Sequence, residues 1–292
     1  MAYLDEDPRS ALQPTTPTPA TAGEAPIRVV RYFEAADLSN SVVRMQNSCV
    51  AWDELEVATV LAANTVDEYV VLVLDASPSI RIQARDESVE VGERALVIVP
   101  AGASTIKSLG TGPLIRVFTT RNSSISEQAL NADEYRDADP RCTPLGPAET
   151  EPQTSQVVVH KLSEHPVKPG AFGRIFQTAD LMVNFLTDDA DPREPAKLSP
   201  HHHDDFSQIS VCVTGDFIHH MRYPWLPDST QWRDDEHRTI GSPSITLIPP
   251  PVIHTSQGIG RDQQLIDIFS PPRDDFGAQP GWVRNAADYV SR

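Results

Sequence analysis

Histidines in two separated segments are the residues of this chain best suited to chemistry. The first segment contains His201 and His203, and the second contains His254. Side chains at positions i and i+2 of a strand point to the same face, so His201 and His203 can both be aimed at one point. A third imidazole from a distant strand would complete a metal site, and imidazole suits zinc, iron, copper or nickel. The spacing therefore predicts a metal centre.

A glutamine and another histidine extend this prediction. Gln208 follows His203 by five residues, so a turn or bulge at 204–207 is needed to bring its side chain to the same inner face. Gln208 either binds the metal through its carbonyl oxygen or only hydrogen-bonds to a bound water or substrate. His220 faces inward if the strand keeps its phase past Gly215, which makes it the candidate catalytic acid or base. A phase reset at that glycine would remove this expectation.

The elements that must position these residues have the pattern of short strands. Runs rich in β-branched residues, such as 69–74, 95–99 and 209–213, are separated by glycine, proline and aspartate. Long helical periodicity is scarce. Many short strands with frequent turns predict an all-β sandwich or barrel.

The two halves of the chain resemble each other. A glycine precedes a proline by eight residues at 92–100 and again at 241–249, and the run 114–118 resembles the run 265–269. Matches at corresponding places indicate a duplicated unit. We therefore expect two barrels of the same kind in tandem.

Composition divides the chain further. An arm rich in proline and threonine at 1–26 is predicted to be disordered, and a polar stretch with several prolines at 122–156 is predicted to be a short linker. One barrel is then expected at 27–121 and the other at 157–276. The remaining residues, 277–292, form a C-terminal tail.

The second half resembles the two sequence motifs of the cupin superfamily. The first motif is His-x-His, three or four residues, glutamate, six residues and glycine; here Gln208 stands in place of the glutamate and Gly215 ends the motif. The second motif is Pro-x-Gly-x-x-His, and Pro249 to His254 follow it with Pro251 in place of the glycine. The resemblance implies two tandem cupin barrels, which are double-stranded β-helices of the jelly-roll type.

The first half departs from the metal motif. When Glu68 is placed opposite Gln208, the positions of the three histidines fall on Leu61, Ala63 and Thr105. No imidazole remains among them. The resemblance therefore implies a bicupin with a degenerate first barrel and one active centre, in the second.

The resemblance also implies a function. The proposed ligands are His201, His203 and His254 with Gln208, and they would bind one divalent metal ion, with Fe(II) favoured over zinc, manganese or nickel. Three-histidine iron centres occur in cupin dioxygenases, so we expect a dioxygenase acting on a small anionic molecule such as a diketone, hydroxy-acid or hydroxy-aromatic acid. A metal-dependent isomerase or lyase of a sugar acid or a related small metabolite is the alternative. A non-catalytic protein that binds a small ligand is a second alternative.

Charge and cysteine content bound the partners. The chain has 24 basic and 41 acidic residues, a net charge of −17, which disfavours nucleic acid as a partner. Three cysteines at long spacings imply no disulfide framework and favour a reduced, cytoplasmic protein. No run approaches the roughly 20 apolar residues that would cross a membrane, and residues 1–26 lack the apolar stretch of a signal peptide, so a soluble protein is expected. Two fused barrels resemble the usual single-cupin dimer, and a homodimer of the whole chain is compatible with the sequence.

Overall fold

Strands dominate the structure, as the sequence predicts, and the all-β fold class is confirmed. The computed structural model describes residues 25–147, 154–167, 173–186 and 191–289. The predicted disordered arm lies outside the described residues except for its last two positions, as do residues 148–153 of the predicted linker and the end of the tail at 290–292. Within the described ranges, no helix is long and apolar enough to cross a bilayer.

The described ranges contain nineteen strands, which are numbered in chain order. They are β1 Arg31–Glu34, β2 Ser41–Arg44, β3 Ser48–Leu55, β4 Val60–Thr65, β5 Tyr69–Val73, β6 Ile80–Ala84, β7 Glu87–Val91, β8 Ala95–Val99, β9 Gly102–Ser108, β10 Gly112–Thr119, β11 Val158–Lys161, β12 Gly173–Gln177, β13 Met182–Leu186, β14 Ser207–Thr214, β15 Asp216–Arg222, β16 Glu236–Gly241, β17 Ser244–Ile248, β18 Ile253–Gly258 and β19 Gln264–Ser270. The helices are short: α1 Ala35–Leu38, α2 Ser123–Ser126 and α3 Asp274–Gly277, with single 3₁₀ turns at Ala132–Tyr135, Leu162–Glu164, Pro195–Lys197, Ser229–Gln231 and Ala286–Asp288.

Each half builds one barrel from a large and a small antiparallel sheet. In the first barrel, a six-stranded sheet in the order β11-β8-β5-β10-β3-β2 faces a four-stranded sheet in the order β4-β9-β6-β7. In the second, a six-stranded sheet in the order β1-β17-β14-β19-β13-β12 faces a three-stranded sheet in the order β16-β15-β18. The corresponding strand orders support the duplication that the sequence indicates.

The two barrels exchange one strand each. Strand β1 lies before the first barrel in the chain, but it pairs with β17 of the second. Strand β11 follows the predicted linker, but it pairs with β8 of the first. Two strands therefore cross the division that the sequence places at 122–156, and each covers an edge that would otherwise be open to further pairing.

The large sheets pack back to back and bury both faces of their central strands. In β5, Val70 and Leu72 lie in the core between the barrels, together with Ile209 and Val211 of β14. The alternate residues of each strand point into its own barrel. This double burial explains why the sequence of β5 is an unbroken run of large, mostly apolar residues rather than a strict polar and apolar alternation.

The interiors of the two barrels differ in polarity. The first is filled by apolar side chains that include Val71, Val97 and Ile82. In the second, the inward positions of β14 hold Gln208 and Ser210, both buried. The duplicated backbone therefore encloses a mainly apolar core, with a largely buried ion pair of Arg116 and Asp53, in one copy and a polar interior in the other.

Candidate metal centre

The three predicted histidines converge inside the second barrel. His201 and His254 face each other in an isolated antiparallel bridge, in which each backbone nitrogen donates to the other residue's carbonyl oxygen at 3.0 and 2.7 Å. His203 lies two residues beyond His201, on the same side. One ring nitrogen of each of the three histidines lies within 4.8 Å of the others, a spacing that can hold a metal ion.

Backbone carbonyl groups fix the tautomers of two of these rings. The Nδ1 atom of His201 is 2.9 Å from the carbonyl oxygen of Ser199, and that of His254 is 2.9 Å from the carbonyl oxygen of Val252. A carbonyl oxygen only accepts, so both Nδ1 atoms carry the hydrogen. In the neutral rings, Nε2 is then left with a lone pair, as metal ligation requires.

Gln208 presents its amide oxygen to the same point. The bend at 204–205 before β14 brings this side chain to the inner face, where Oε1 lies 3.0 Å from Nε2 of His203 and 3.3 Å from Nε2 of His254. The orientation of the amide is set by Ser210, which accepts from Nε2 of Gln208 at 2.9 Å and donates to Oδ1 of Asp267 at 2.5 Å. Because Asp267 accepts the only hydroxyl hydrogen of Ser210, the amide nitrogen must face Ser210 and the amide oxygen must face the histidines.

These donor atoms fit a bound cation. The Nε2 of neutral His254 and the Oε1 of Gln208 are both acceptors at 3.3 Å, a pairing that offers no hydrogen bond between them. A divalent ion among acceptor atoms of this kind resolves that conflict, because it binds lone pairs. His201, His203 and His254 would hold it, and Gln208 would add a neutral oxygen.

The surroundings keep His203 neutral. Burial lowers the pKa of its imidazole well below the usual value, and the positive charge of Arg273 acts in the same direction. The ring stacks on Phe206 at 4.3 Å between centroids, and Phe269 approaches it at 5.8 Å. An apolar wall of this kind keeps a proton from competing for the lone pair.

His220 requires a correction to the predicted strand phase. Its side chain is on the outer face of β15, where Nδ1 lies 2.8 Å from Nδ1 of His237 and Nε2 lies 3.3 Å from Oε1 of Gln257. The neighbouring His219 is the residue that points inward, with 0% exposure and Nδ1 2.8 Å from the hydroxyl oxygen of Ser256. Burial lowers the pKa of His219 to about 3, so this ring is neutral.

A bulge explains the reversal. The register between β14 and β19 shifts between Cys212 and Thr214, and such a shift moves every later side chain of the strand to the opposite face. Gly215 then turns the chain with a φ of 94°, in the left-handed region that favours glycine. A Cβ atom at this position would also approach Cα of Gln263 to 3.2 Å.

Solved structures of low sequence identity share the architecture. A tryptophan-to-tyrosine variant of oxalate decarboxylase from Bacillus subtilis is 13% identical with a TM-score of 0.55, and the match covers 87% of this chain and 80% of that chain. AerE from Microcystis aeruginosa is 10% identical with a TM-score of 0.50, and the match covers 79% of this chain and 91% of that chain. No protein-family model matches the sequence, and no curated protein matches it significantly. The chain has the bicupin fold.

The structure aligns the first barrel of this bicupin with the second in a register that differs by one residue from the predicted one. Tyr69 pairs with Val99 as Gln208 pairs with Ile248, and a proline follows both partners. The counterpart of Gln208 is therefore Tyr69 rather than Glu68. Glu68 points instead toward the interface between the barrels, where it accepts from the backbone nitrogen of Ala179 at 2.8 Å.

The same register changes the counterparts of the histidines. Ala84 pairs with Ser104 as Met221 pairs with His254, so Ser104, not Thr105, corresponds to His254. Ala63 lies opposite Ser104 and takes the place of His201 rather than that of His203, and Thr65, two residues on, takes the place of His203. The hydroxyl oxygen of Tyr69 lies 3.0 Å from that of Ser104 and fills this region of the barrel. Among the described residues, the first barrel has no group of metal-ligating side chains like that of the second.

Two parts of the site escape an inspection of the sequence alone. The pair of Ser210 and Asp267 joins β14 to β19 across 57 residues, and no local spacing identifies it. His219 is adjacent to a histidine that fits the uninterrupted phase of β14 better. The glycine after β14 is a signal of a change in phase, but only the bulge decides between the two residues.

Proposed function

We propose that the protein is a metal-dependent bicupin enzyme with one divalent ion in the second barrel, and that with Fe(II) it acts as a mononuclear non-haem dioxygenase on a small anionic substrate. The observation that carries the proposal is the donor set: three imidazoles whose ring nitrogens lie within 4.8 Å, joined by an amide oxygen and, among the residues that the structure describes, by no carboxylate. Such neutral ligands leave the charge of the ion almost uncompensated, which favours an anionic substrate.

The residues at this centre would have different roles. A divalent ion bound here would supply Lewis acidity to a substrate oxyanion, and Fe(II) would also supply redox chemistry with dioxygen. His201 and His254 present lone pairs that are fixed by their own backbone hydrogen bonds. Gln208 offers an oxygen whose direction is set by Ser210. Phe206 and Phe269 exclude water beside His203.

Elemental analysis tests the metal centre. Purified wild-type protein is expected to carry about one equivalent of a divalent metal per chain after loading, because one group of ligands is present. His203→Ala should lose it, whereas His202→Ala should retain it, since the His202 ring points to Asp204 instead, with Nε2 at 3.4 Å from Oδ1. Equal metal content in wild type and His203→Ala would contradict the proposed centre.

Oxygen uptake tests the reaction. Protein loaded anaerobically with Fe(II) is mixed with diketones, hydroxy-acids and hydroxy-aromatic acids, and an oxygen electrode follows consumption when air is admitted. We expect uptake with at least one class, and none with His203→Ala. Absence of uptake across the panel would contradict the dioxygenase.

A metal-dependent isomerase or lyase is the second candidate. The observation that favours it is the same donor set, because a divalent ion held by neutral ligands would polarise a carbonyl group of the substrate without oxygen. Turnover under argon with zinc, manganese or nickel would identify this activity.

The homodimer and the cytoplasmic location stay predictions from the sequence.

A further inference from the structure

The interior of the second barrel has a polar layer next to the metal centre. Two residues beyond Gln208 on β14, about 7 Å along the strand, Ser210 pairs with Thr246 on one side and with Asp267 on the other. On the small sheet, His219 pairs with Ser256, and this pair lies two residues along each strand from the pair of Met221 and His254. With Asn184, which pairs with Asp267, the polar layer consists of Asn184, Ser210, Thr246, Asp267, His219 and Ser256.

Three side-chain atoms of the polar layer are buried without a partner in the protein. They are Oδ1 of Asn184, Oγ1 of Thr246 and Nε2 of His219. The three residues are 1%, 0% and 0% exposed. Buried polar atoms in folded proteins are almost always paired with protein, water or ligand, because an unpaired one destabilises the fold. Three of them in one layer beside a candidate metal centre indicate a surface that binds a polar ligand.

The first barrel shows that the fold does not require this polarity. Its register places Val97 at the position of Thr246, and Val71 at that of Ser210. On the small sheet, Ile82 pairs with Ile106 as His219 pairs with Ser256. The same backbone is thus stable with apolar side chains at these four positions, and the counterpart of Asp267, Arg116, is paired with Asp53 at 2.7 and 2.9 Å. The fold therefore does not require the unpaired polar atoms of the second barrel, which favours a ligand as their partner.

The chemistry of the layer selects one kind of ligand. None of its six residues carries a positive charge, and its acceptors include the carboxylate of Asp267 and the hydroxyl oxygen of Thr246; the amide oxygen of Asn184 packs against Gly173 instead. A second carboxylate of a ligand would be repelled here, whereas hydroxyl groups would donate to these acceptors and accept from a hydroxyl such as that of Thr246. The metal centre, in contrast, takes an anionic end.

We propose that the substrate is a polyhydroxylated carboxylate, whose carboxylate and neighbouring oxygen bind at the metal centre while its further hydroxyl groups bind the polar layer. This inference rests on the proposed metal-dependent function and names its substrate class. Thr246 and His219 lie on opposite sheets, so they would hold the ligand from two sides and determine its specificity.

Calorimetric titration of zinc-loaded protein tests the proposal without turnover. The probes are threonate, which is 2,3,4-trihydroxybutanoate, and 2-hydroxybutanoate; they share carbon number, charge and chelating group. Wild-type protein is expected to bind threonate at least about tenfold more tightly, from one or two additional hydrogen bonds. Thr246→Val and His219→Ile introduce the residue types of the first barrel, and the double variant should bring the ratio of the two affinities close to one.

His220→Ile is the matched control, because His220 is the neighbour of His219 on the outer face of β15. It should leave the ratio of affinities unchanged. Zinc content is measured in the same samples. Protein without zinc would contradict the metal centre and the substrate class together. Zinc-loaded protein that binds neither acid, binds both equally, or keeps its preference in the double variant would overturn the substrate class and leave the metal centre standing.

Discussion

At the scale of single residues, two consecutive hydrogen bonds orient the amide of Gln208, a candidate ligand that carries no charge. Asp267 accepts from Ser210, Ser210 accepts from Gln208, and the Gln208 oxygen is left facing the histidines. An amide has no charge to direct it toward a cation, so its orientation depends on this chain. Residues that orient ligands in this way influence metal affinity although they do not contact the ion.

Replacement of Ser210 by alanine is expected to weaken metal binding. Without the serine hydroxyl, the amide of Gln208 is free to rotate, and the affinity for zinc should fall about tenfold or more. Competition with a chromophoric chelator measures the change. Thr246→Val, on the neighbouring strand, is the control and should keep the affinity of the wild type; an unchanged affinity in Ser210→Ala would show that the chain does not orient the ligand.

At the scale of elements, the exchanged strand β1 closes the side of the second barrel. Tyr32 on this strand donates from its hydroxyl to Oε2 of Glu236 at 3.1 Å, and Arg238 lies over its ring at 4.5 Å. The backbone nitrogen of Val30 donates to the hydroxyl oxygen of Tyr223 at 3.0 Å. The strand thus connects the large sheet with the edge of the small one.

Truncation of Tyr32 should destabilise the protein. Tyr32→Ala removes a partly buried ring, a hydrogen bond and a cation–π contact, and we expect a loss of about 2–3 kcal/mol in the free energy of unfolding. Urea unfolding followed by circular dichroism measures it. Val29→Ala, at a side chain that is 39% exposed just before the strand, should change stability by less than about 0.5 kcal/mol. Similar effects of both changes would argue against a closing role for β1.

At the scale of the whole molecule, the two barrels are expected to unfold together. They share the core between their large sheets, and each contributes a strand to the other. Neither barrel can lose its structure without exposing apolar surface of its partner. Differential scanning calorimetry should show one transition, which bound zinc shifts upward as a whole. Two separate transitions, with only one sensitive to zinc, would contradict this coupling.

Glu68 gives the stability of this interface a dependence on pH. Burial raises the pKa of its carboxyl group above the ordinary value of 4.5, although Ala179, Thr154 and Tyr289 donate hydrogen bonds to it. The unfolded chain therefore ionises first, and the native state loses relative stability as pH rises from about 4.5 to the higher native pKa.

Glu68→Gln should remove that loss. We expect the melting temperature of the variant to exceed that of the wild type at pH 7 to about 8, and the difference to disappear below pH 4.5, where both chains carry a neutral group. Thermal melts across this range measure it. A difference that is independent of pH would show that the pKa of Glu68 is the same in the native and the unfolded chain.

The sequence by itself was sufficient to predict the candidate ligands and the class of fold. The i, i+2 spacing of His201 and His203 needs only a strand to place both rings on one side, and short apolar runs between turn residues are sufficient to indicate barrels. His254 could be assigned because the motif that contains it is also local. Each of these inferences uses positions that are close in the chain, where backbone geometry alone relates one side chain to another.

Only the tertiary structure decided which other side chains share the interior of the second barrel with His201, His203 and His254. One extra residue between Cys212 and Thr214 brings His219 inward instead of His220. A displacement of one position makes Tyr69, not Glu68, the counterpart of Gln208. The exchange of strands and the hydrogen bond from Ser210 to Asp267 join segments that are distant in the sequence. All of these depend on register, which is set by the packing of whole sheets, and a shift of one residue reverses every side chain that follows.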